Sequence, residues 1–276
     1  MRKTRKIGSW FALALLVPVV VSAEVYRWTD VYGRSHYSDR SHDDAQVMHI
    51  NPGISYYRVE KVFDGDTILL DDGRKVRLLG VNTPEIAGRI KSAEAGGEIA
   101  KQWLTLKLEQ RKVFLQGDVE KQDKYQRTLA YVFNENKQFI NVELVKRGLA
   151  TVNIYPPNLK YVNELLAAQE EAERGNIGLW SDPAYSPTPA EQLNQSNYQG
   201  WKRVTGKITS LKQTVRHSYL LFNDKVSVSI EPTSLLLFPT LESYIGKNVE
   251  VRGWVKRSRD RFYVVVRHPA DIRVAR

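Results

Sequence analysis

Residues 56–80 read YYRVEKVFDGDTILLDDGRKVRLLG, and this stretch decides the fold. Tyr56–Phe63, Asp66–Asp71 and Lys75–Gly80 have the period-two pattern and the β-branched and aromatic residues that are typical of strands. Asp72-Gly73, between the second and third runs, is a pair typical of a tight hairpin turn. The sequence therefore predicts three consecutive strands here.

The following residues add one helix, two strands and two more helices. In order, the pattern predicts helix Glu94–Glu109, strands Lys112–Val119 and Thr128–Phe133, and helices Asn141–Arg147 and Asn158–Arg174. Glycines at positions 148 and 175 can end the last two helices. The order β-β-β-α-β-β-α-α favours an α+β domain over residues 55–182, built as a closed five-stranded barrel of the OB type with three helices.

The start of the chain has the pattern of a secretory signal peptide over residues 1–23. Basic residues precede an apolar run from Ile7 to Val21, and small residues follow the run. Because the run is shorter than the ~20 residues of a membrane span, we expect cleavage after Ala23, no remaining membrane span, and export to the periplasm or the medium. The open alternative is an uncleaved anchor.

Three further regions complete the predicted organisation. In residues 24–52, alternating aromatic and polar residues around Tyr32-Gly33 predict a small β-hairpin domain, which resembles a short N-terminal domain of unknown function found on exported bacterial proteins. Residues 183–198 are rich in Pro, Ser, Asn and Gln and predict a linker. Residues 199–276 contain several strand-like runs and predict a mostly-β domain, with a second OB-like barrel as one alternative.

Charge and composition exclude some classes of function. Residues 199–276 hold 15 Lys and Arg against 6 Asp and Glu, within a chain of net charge +10, and such a basic segment is typical of contact with a polyanion. The chain has no cysteine, which excludes disulfides and thiolate zinc sites. None of the five histidines lies between Tyr56 and Asp182, so a histidine-based hydrolytic mechanism is excluded in that stretch.

Residues 64–127 contain the side chains that phosphodiester hydrolysis needs. A divalent cation held by carboxylates and the planar fork of arginine both neutralise charge on phosphoryl oxygens, and a further carboxylate can activate water. The candidates, in chain order, are Asp64-Gly65-Asp66, Arg77, Asn82–Glu85 and Asp123–Arg127. Each piece alone also fits an ordinary turn or a surface charge, and it is their joint order that points to a nuclease.

These pieces lie within longer strings that resemble the staphylococcal nuclease (thermonuclease) family over residues 56–182. The strings are DGDT at 64–67, VRLLGVNTPE at 76–85, DKYQRTLAYV at 123–132, INVELVKRGLA at 140–150 and GLW at 178–180. The resemblance implies an OB-fold nuclease that depends on Ca²⁺, with other divalent cations as the alternative. Its implied substrates are DNA and RNA, which it would cleave to leave 3′-phosphate ends.

The resemblance also implies a role for individual residues. Asp66, Asn82 and the backbone carbonyl of Thr83 fall on metal-ligand positions, with Asp64 supporting them. Glu85 falls on the proposed general base, and Arg77 and Arg127 on the arginines that stabilise the phosphoryl transition state. The positions that contact the bound nucleotide are Lys124, Tyr125 and Tyr155.

This sequence departs from the family pattern at three positions. Asn82 stands where a second carboxylate ligand is common, so a neutral amide should weaken the binding of Ca²⁺. Gln126 replaces a glycine that permits a tight turn, and Asn153 replaces a tyrosine near the nucleotide.

Two alternatives for the function stay open: a non-catalytic nucleic-acid-binding protein on the same barrel, and an envelope protein that binds polyanions. For the basic C-terminal domain, densest at Lys256–Arg261, two interpretations stay open: an extra nucleic-acid contact, or a solvated charged loop between two strands.

Overall fold

The computed structural model describes residues 25–48, 54–87 and 94–275. The predicted signal peptide, residues 1–23, lies outside the described residues. The chain forms two compact units, Met1–Ile54 and Ser55–Arg276. No helix within the described ranges is long and apolar enough to cross a membrane.

The N-terminal unit is a three-stranded antiparallel sheet. Its strands are β1 (Val25–Thr29), β2 (Ser35–Ser38) and β3 (Gln46–Met48), in the order β2-β1-β3. The predicted hairpin is β1–β2, and its turn is closed by Asp30, whose Oδ1 accepts the N–H groups of Tyr32 and Arg34, both at 2.9 Å. Strand β3 was not predicted, because three residues are too few to show a period.

The second unit begins with a closed barrel, as the sequence predicts. Its strands are β4 (Tyr56–Asp64), β5 (Thr67–Leu70), β6 (Lys75–Leu78), β8 (Lys112–Gln116) and β9 (Thr128–Asn134), in the order β4-β5-β6-β9-β8. Only the β6–β9 pair is parallel. Strand β4 is long enough to pair with β5 at one end and β8 at the other, with two irregularities in its register to β5. The two irregularities bend β4, so that the barrel closes without leaving an unpaired edge.

Three helices and one short strand pair cover the barrel. The helices are α1 (Gly97–Leu108), α2 (Ile140–Lys146) and α3 (Val162–Arg174), and the strands are β7 (Val81–Asn82) and β10 (Thr151–Val152). All three predicted helices are confirmed. The barrel and helices share one apolar core, in which Ile68, Leu104, Leu144 and Leu165 are fully buried. The fully buried Asn141 ties α2 to the barrel, because its Nδ2 donates to the Leu79 carbonyl (2.8 Å) and its Oδ1 accepts the N–H of Val132 (2.9 Å).

Helix α3 begins four residues later than the sequence predicts. Asn158 is buried, and its Oδ1 accepts the N–H of Glu120 at 2.9 Å. The Asn158 N–H donates to the Tyr155 carbonyl (3.1 Å) and the Lys160 N–H to Asp118 Oδ2 (2.9 Å), so the backbone before Val162 is bonded outside the helix. The helix therefore starts only at Val162.

The C-terminal part is mostly β, also as predicted. Its strands are β11 (Pro187–Pro189), β12 (Trp201–Lys207), β13 (Ser210–Gln213), β14 (Ser218–Leu221), β15 (Val226–Ile230), β16 (Asn248–Ser258), β17 (Arg261–Val266) and β18 (Ile272–Val274). The main order is β11-β12-β16-β17-β15-β14-β13, and β18 pairs with β16. The inner face carries a second apolar core that includes Val204, Leu220, Val228 and Val264.

Residues 183–198 differ from the expected linker. They contain two 3-10 turns, Pro183–Tyr185 and Ala190–Gln192, and strand β11, which runs parallel to β12. Ala190 and Leu193 are buried in the second core. The segment therefore packs against the sheet. Its prolines suit an edge strand, and its few apolar residues are too widely spaced to give a periodic signal.

A group of five charged side chains, which we call the buried charge cluster, joins α3 to the C-terminal sheet. Its members are Glu173, Arg203, Glu250, Arg252 and Arg273. Arg252 is 4% exposed; it pairs with both carboxylate oxygens of Glu173 and, through Nε, with Glu250 Oε1 at 2.5 Å. Arg273 donates to Glu173 (2.9 Å) and Arg203 to Glu250 (2.8 Å). Every member is therefore paired with a group of opposite charge.

Candidate active site

Asp66 lies in the turn that links β4 to β5. Asp64 Oδ1 accepts the N–H of Asp66 at 3.0 Å and so fixes the turn. The intervening Gly65 has no room for a side chain: an added Cβ would lie 2.6 Å from Thr83 Cγ2 and 2.8 Å from the Cβ of Ala100 on α1. Glycine is therefore required so that the turn can approach Thr83 and α1 closely.

The Asp66 carboxylate is buried, with 6% of its surface exposed, and is held on both oxygens. Oδ2 accepts the Thr83 N–H (3.1 Å) and hydroxyl (3.2 Å), and Oδ1 accepts the Thr67 hydroxyl (3.1 Å). Arg77 Nη2 lies 2.9 Å from Oδ2. Burial raises the pKa of Asp66 to about 6 against the opposing charge of Arg77, and the nearby Asp64 adds to the rise.

Arg77 lies on β6 and connects Asp66 to Asn82. Its Nη1 donates to the Leu78 carbonyl (3.0 Å), and its Nη2 donates to Asn82 Oδ1 (3.3 Å). The other end of the Asn82 amide, Nδ2, donates to the Thr83 carbonyl at 3.1 Å. The structure thus brings together four residues that the sequence predicted as site residues: Asp66, Arg77, Asn82 and Thr83.

Glu85 is half-buried and follows this group by two residues. Its backbone is fixed by Glu94, because Glu94 Oε2 accepts the Glu85 N–H (3.0 Å) and the Glu94 N–H donates to the Glu85 carbonyl (2.8 Å). Gly97 at the start of α1 has no room for a Cβ, which would lie 2.7 Å from the Glu85 carbonyl oxygen. The position of Glu85 is therefore set by the start of α1.

Arg127 comes directly before β9, the parallel neighbour of the strand that carries Arg77. Asp123 holds it: Oδ1 accepts the N–H groups of Tyr125 (2.9 Å) and Arg127 (3.0 Å), and Oδ2 accepts Arg127 Nε at 2.7 Å. Burial acts to raise the pKa of Asp123, but its bonds with Arg127 and the turn N–H groups keep that pKa below the ordinary value. Both arginines are thus presented by the one parallel strand pair of the barrel.

The sequence did not predict the anchoring roles of Asp123 and Glu94. An aspartate at the start of a turn that ends in arginine is a local signal, so Asp123 could have been found from the sequence. The bonds between Glu94 and Glu85 join residues nine positions apart, and no periodic pattern marks them.

The three residues expected to contact nucleotide lie in two places: Lys124 and Tyr125 precede Arg127, and Tyr155 follows β10. Lys124 Nζ lies 5.0 Å from the centre of the Tyr125 ring, and Tyr125 is exposed. Tyr155 is half-exposed, and the guanidinium of Arg267, from the C-terminal part, lies 4.4 Å from its ring centre. Tyr155 therefore contacts the C-terminal part directly.

Gln126 adopts a left-handed backbone conformation, with φ of 63°. Such a conformation costs a residue with a Cβ about 1–2 kcal/mol, and part of this is offset by glycine's greater freedom in the unfolded chain. We therefore expect Gln126→Gly to raise the free energy of unfolding by about 0.5–1 kcal/mol in urea titrations. Gln126→Ala removes the same side chain and should give no gain, so equal stability of the two variants would contradict the prediction.

Comparison with known proteins identifies relatives of this chain. The family described as staphylococcal nuclease homologue matches residues 75–182, and a domain of unknown function (DUF4124) matches residues 12–53. The thermonuclease of Staphylococcus intermedius is 42% identical over 127 residues, which are 45% of this chain and 75% of the relative. The thermonuclease of Staphylococcus hyicus is 38% identical over 46% of this chain and 76% of its own. Endonuclease YncB of Bacillus subtilis (strain 168) is 34% identical over 46% of this chain and 62% of its own.

The residues that match the family form most of the barrel and its helices in the structure. Residues 75–182 run from β6 of the closed barrel through all three helices and include Arg77, Asn82, Thr83, Glu85 and Arg127. With 42% identity across three quarters of a thermonuclease, the chain belongs to the staphylococcal nuclease family.

Proposed function

We propose that this protein is an exported, metal-dependent nuclease that hydrolyses phosphodiester bonds in DNA and RNA. One observation carries the proposal: a buried carboxylate (Asp66), an arginine (Arg77) and two neutral oxygen donors (Asn82, Thr83) are linked by hydrogen bonds at one end of the barrel. The relatives named thermonuclease and endonuclease support the same reaction class.

The donor set fits a hard divalent cation such as Ca²⁺. Asp66 supplies carboxylate oxygen, Asn82 amide oxygen and Thr83 carbonyl oxygen, and Ca²⁺ accepts both charged and neutral oxygen ligands. Asp66 would be the anionic donor of this set; among the described residues, no three His, Cys, Asp or Glu side chains come together as a metal-binding group. When bound, the cation would supply positive charge next to the phosphoryl oxygens.

The protein's own side chains would position the phosphate and move the proton. Arg77 and Arg127 would bind the non-bridging oxygens through their planar forks, which match phosphate geometry. Glu85 would accept a proton from the attacking water as the water oxygen bonds to phosphorus. The bond from phosphorus to the 5′ oxygen then breaks, and that oxygen takes up a proton from solvent water, which leaves a 3′-phosphate and a 5′-hydroxyl. Lys124, Tyr125 and Tyr155 would contact the nucleotide.

Hydrolysis of DNA and RNA by the purified chain tests this proposal. Each substrate is incubated with Ca²⁺, Mg²⁺ or Mn²⁺, and then with excess chelator. We expect cleavage with Ca²⁺, loss of cleavage in chelator and recovery on adding Ca²⁺ back. Absence of cleavage with all three cations at millimolar concentration would leave a non-catalytic binding protein as the better reading.

Asn82→Asp should tighten the binding of Ca²⁺. A carboxylate at this position adds one negative charge to the donor set. We expect the Ca²⁺ concentration that gives half the maximal rate to fall roughly tenfold, which corresponds to about 1.4 kcal/mol. Asn136→Asp is the matched control, since Asn136 is exposed in the turn that follows β9. If both variants have the wild-type Ca²⁺ dependence, Asn82 is not a ligand.

We further propose that the chain is divided at the boundaries that the sequence suggests. Residues 1–23 would be a cleaved signal peptide, 24–52 a small domain, 55–182 the nuclease domain, and 199–276 a basic domain, against whose sheet the intervening residues 183–198 pack. The match of residues 12–53 to a domain family of unknown function supports a separate N-terminal domain. N-terminal sequencing of the protein recovered from the periplasm or the medium should begin at Glu24, whereas a start at Met1 in the membrane fraction would indicate an anchor.

A further inference from the structure

We propose that the C-terminal part binds single-stranded nucleic acid in a groove of about 610 Å³ that lies over β14, β15 and β17. We call it the C-terminal groove. It is lined by residues of these strands, by the end of β13, by the turn between β14 and β15 and by the turn between β16 and β17. None of the residues of the candidate active site contributes to it, so the inference is independent of the proposed hydrolysis.

The strand pairing of this part repeats that of the nuclease barrel. Strands β12 and β13 are separated by only two residues, so that one bent segment pairs with β16 at one end and β14 at the other. Strands β15 and β17 are parallel. In the barrel, β4 pairs in the same way with β8 and β5, and β6 is parallel to β9. We infer a second OB-type arrangement, with β12–β13 as its first strand and β14 to β17 as the others.

The groove occupies the surface that such an arrangement uses for oligonucleotides. OB folds bind them on the face of the second and third strands, flanked by the loop after the first strand and the loop between the fourth and fifth. Here β14 and β15 form the floor. Lys212 and Thr214 lie at the end of the first strand, and Ser258 to Arg261 form the turn between the fourth and fifth.

The floor of the groove offers two tyrosine rings on either side of a small residue. Ser227 of β15 is aligned with Leu221 of β14 and with Tyr263 of β17. Tyr219 lies two residues before Leu221, on the same face of β14, because the residue between them, Leu220, is fully buried. Tyr219 and Tyr263 are both partly exposed, and both line the groove. Their rings can therefore stack on bases, and base stacking of this kind tolerates any sequence.

The walls of the groove carry more positive than negative charge. Four basic residues line it, against the two acids Asp224 and Asp260. The basic residues are Lys212, Lys225, Arg259 and Arg261, and all four are exposed. A single nucleic-acid strand presents phosphates and bases in alternation, so basic side chains beside aromatic rings can bind both. A duplex keeps the faces of its bases stacked inside, so the two rings favour a single strand.

Binding can be measured with the full-length chain in chelator, so that no metal-dependent cleavage occurs. The probe is fluorescein-labelled dT12, followed by anisotropy. All variants carry Arg77→Ala and Arg127→Ala, which removes phosphate contacts at the candidate active site. We expect this background protein to keep binding dT12 and to bind a 12-base-pair duplex more weakly.

Two pairs of substitutions test the rings and the charges separately. Tyr219→Leu with Tyr263→Leu should weaken binding by about 10- to 100-fold, whereas Tyr219→Phe with Tyr263→Phe should keep it within about twofold, because phenylalanine retains the ring. Lys212→Ala with Lys225→Ala should reduce the slope of log affinity against log salt by about 1.4, or about 0.7 for each lost phosphate contact. Lys207→Ala with Lys247→Ala removes the same charge outside the groove and should leave the slope unchanged.

Thermal unfolding of each variant confirms that it is folded before its affinity is compared. Equal affinities of the Leu and Phe variants would overturn the proposal, as would equal slopes for the two lysine pairs. Duplex binding as tight as dT12 binding would also overturn it. Because cleavage is assayed separately on the wild-type chain, failure of the groove and failure of the proposed hydrolysis give different results.

Discussion

Replacing Arg77 with lysine should lower the rate of phosphodiester cleavage by about 10²–10³-fold, the usual cost of losing a transition-state hydrogen-bond donor. Lysine keeps the charge and loses the planar fork that pairs with two oxygens at once. In the structure that fork reaches Asp66 and Asn82 through Nη2 and the Leu78 carbonyl through Nη1. Because the charge remains, we expect kcat to fall much more than KM rises in steady-state assays with a short oligonucleotide.

Arg74→Lys is a matched control for this prediction. Arg74 lies three residues earlier, pairs with Asp72 at 2.7 Å and packs over the Tyr57 ring at 4.2 Å. Neither of these contacts involves a residue of the candidate active site, so Arg74→Lys should leave kcat unchanged. Retention of wild-type kcat by Arg77→Lys would show that Arg77 fixes Asp66 structurally and does not act on the phosphate.

Arg252→Ala should lower the free energy of unfolding by about 3 kcal/mol, because it removes a buried guanidinium and leaves two largely buried carboxylates without their main partner. Burial opposes the charge on Arg252, but Glu173 and Glu250 raise the pKa of its guanidinium above the ordinary value. Its guanidinium also lies 5.9 Å from the centre of the Trp180 ring. Denaturant titration followed by tryptophan fluorescence measures the loss.

An exposed ion pair on the same unit is the control. Lys146 and Glu171 are 3.1 Å apart, and about half of each side chain is exposed. Surface pairs of this kind contribute about 0–1 kcal/mol, so Lys146→Ala should have little effect. A loss below 1 kcal/mol for Arg252→Ala would mean that the buried charge cluster is solvated in solution.

The same cluster should make the protein less stable in acid. Burial acts to raise the pKa of Glu250, but Arg203 and Arg252 hold that pKa below its usual value of 4.5. A carboxylate whose pKa is lower in the folded state stabilises the fold above the unfolded-state pKa, and this contribution is lost as pH falls. The free energy of unfolding should therefore fall below pH 4.5, and less steeply in Arg252→Ala. Equal slopes would contradict this link.

The barrel was predictable because its strands are rich in β-branched and aromatic residues, and because Asp72-Gly73 marks the hairpin between β5 and β6. The elements that were missed are short. Strands β11 and β18 have three residues each, and their pairing with β12 and β16 depends on contacts between residues far apart in sequence. Local pattern carries no information on such contacts.

The functional residues, too, were predictable from the sequence only in part. Asp66, Arg77, Asn82 and Thr83 lie within 18 consecutive residues, so motif order was enough to group them. The C-terminal groove was not predictable from the densest run of charge, Lys256–Arg261. Its wall combines Arg259 and Arg261 from that run with Lys212 of β13 and Lys225 of the turn before β15, and the two tyrosines are brought to the same groove only by strand pairing.

Gly65 has a consequence for how the protein would respond to heat. The turn at Gly65 touches both Thr83 and Ala100, with no space for even one methyl group between them. The Asp66 turn, Thr83 and helix α1 are therefore closely packed on one another, and we expect them to loosen together. Loss of the site's geometry on warming would accordingly coincide with melting of the barrel as a whole, and the protein would keep its working shape up to that temperature.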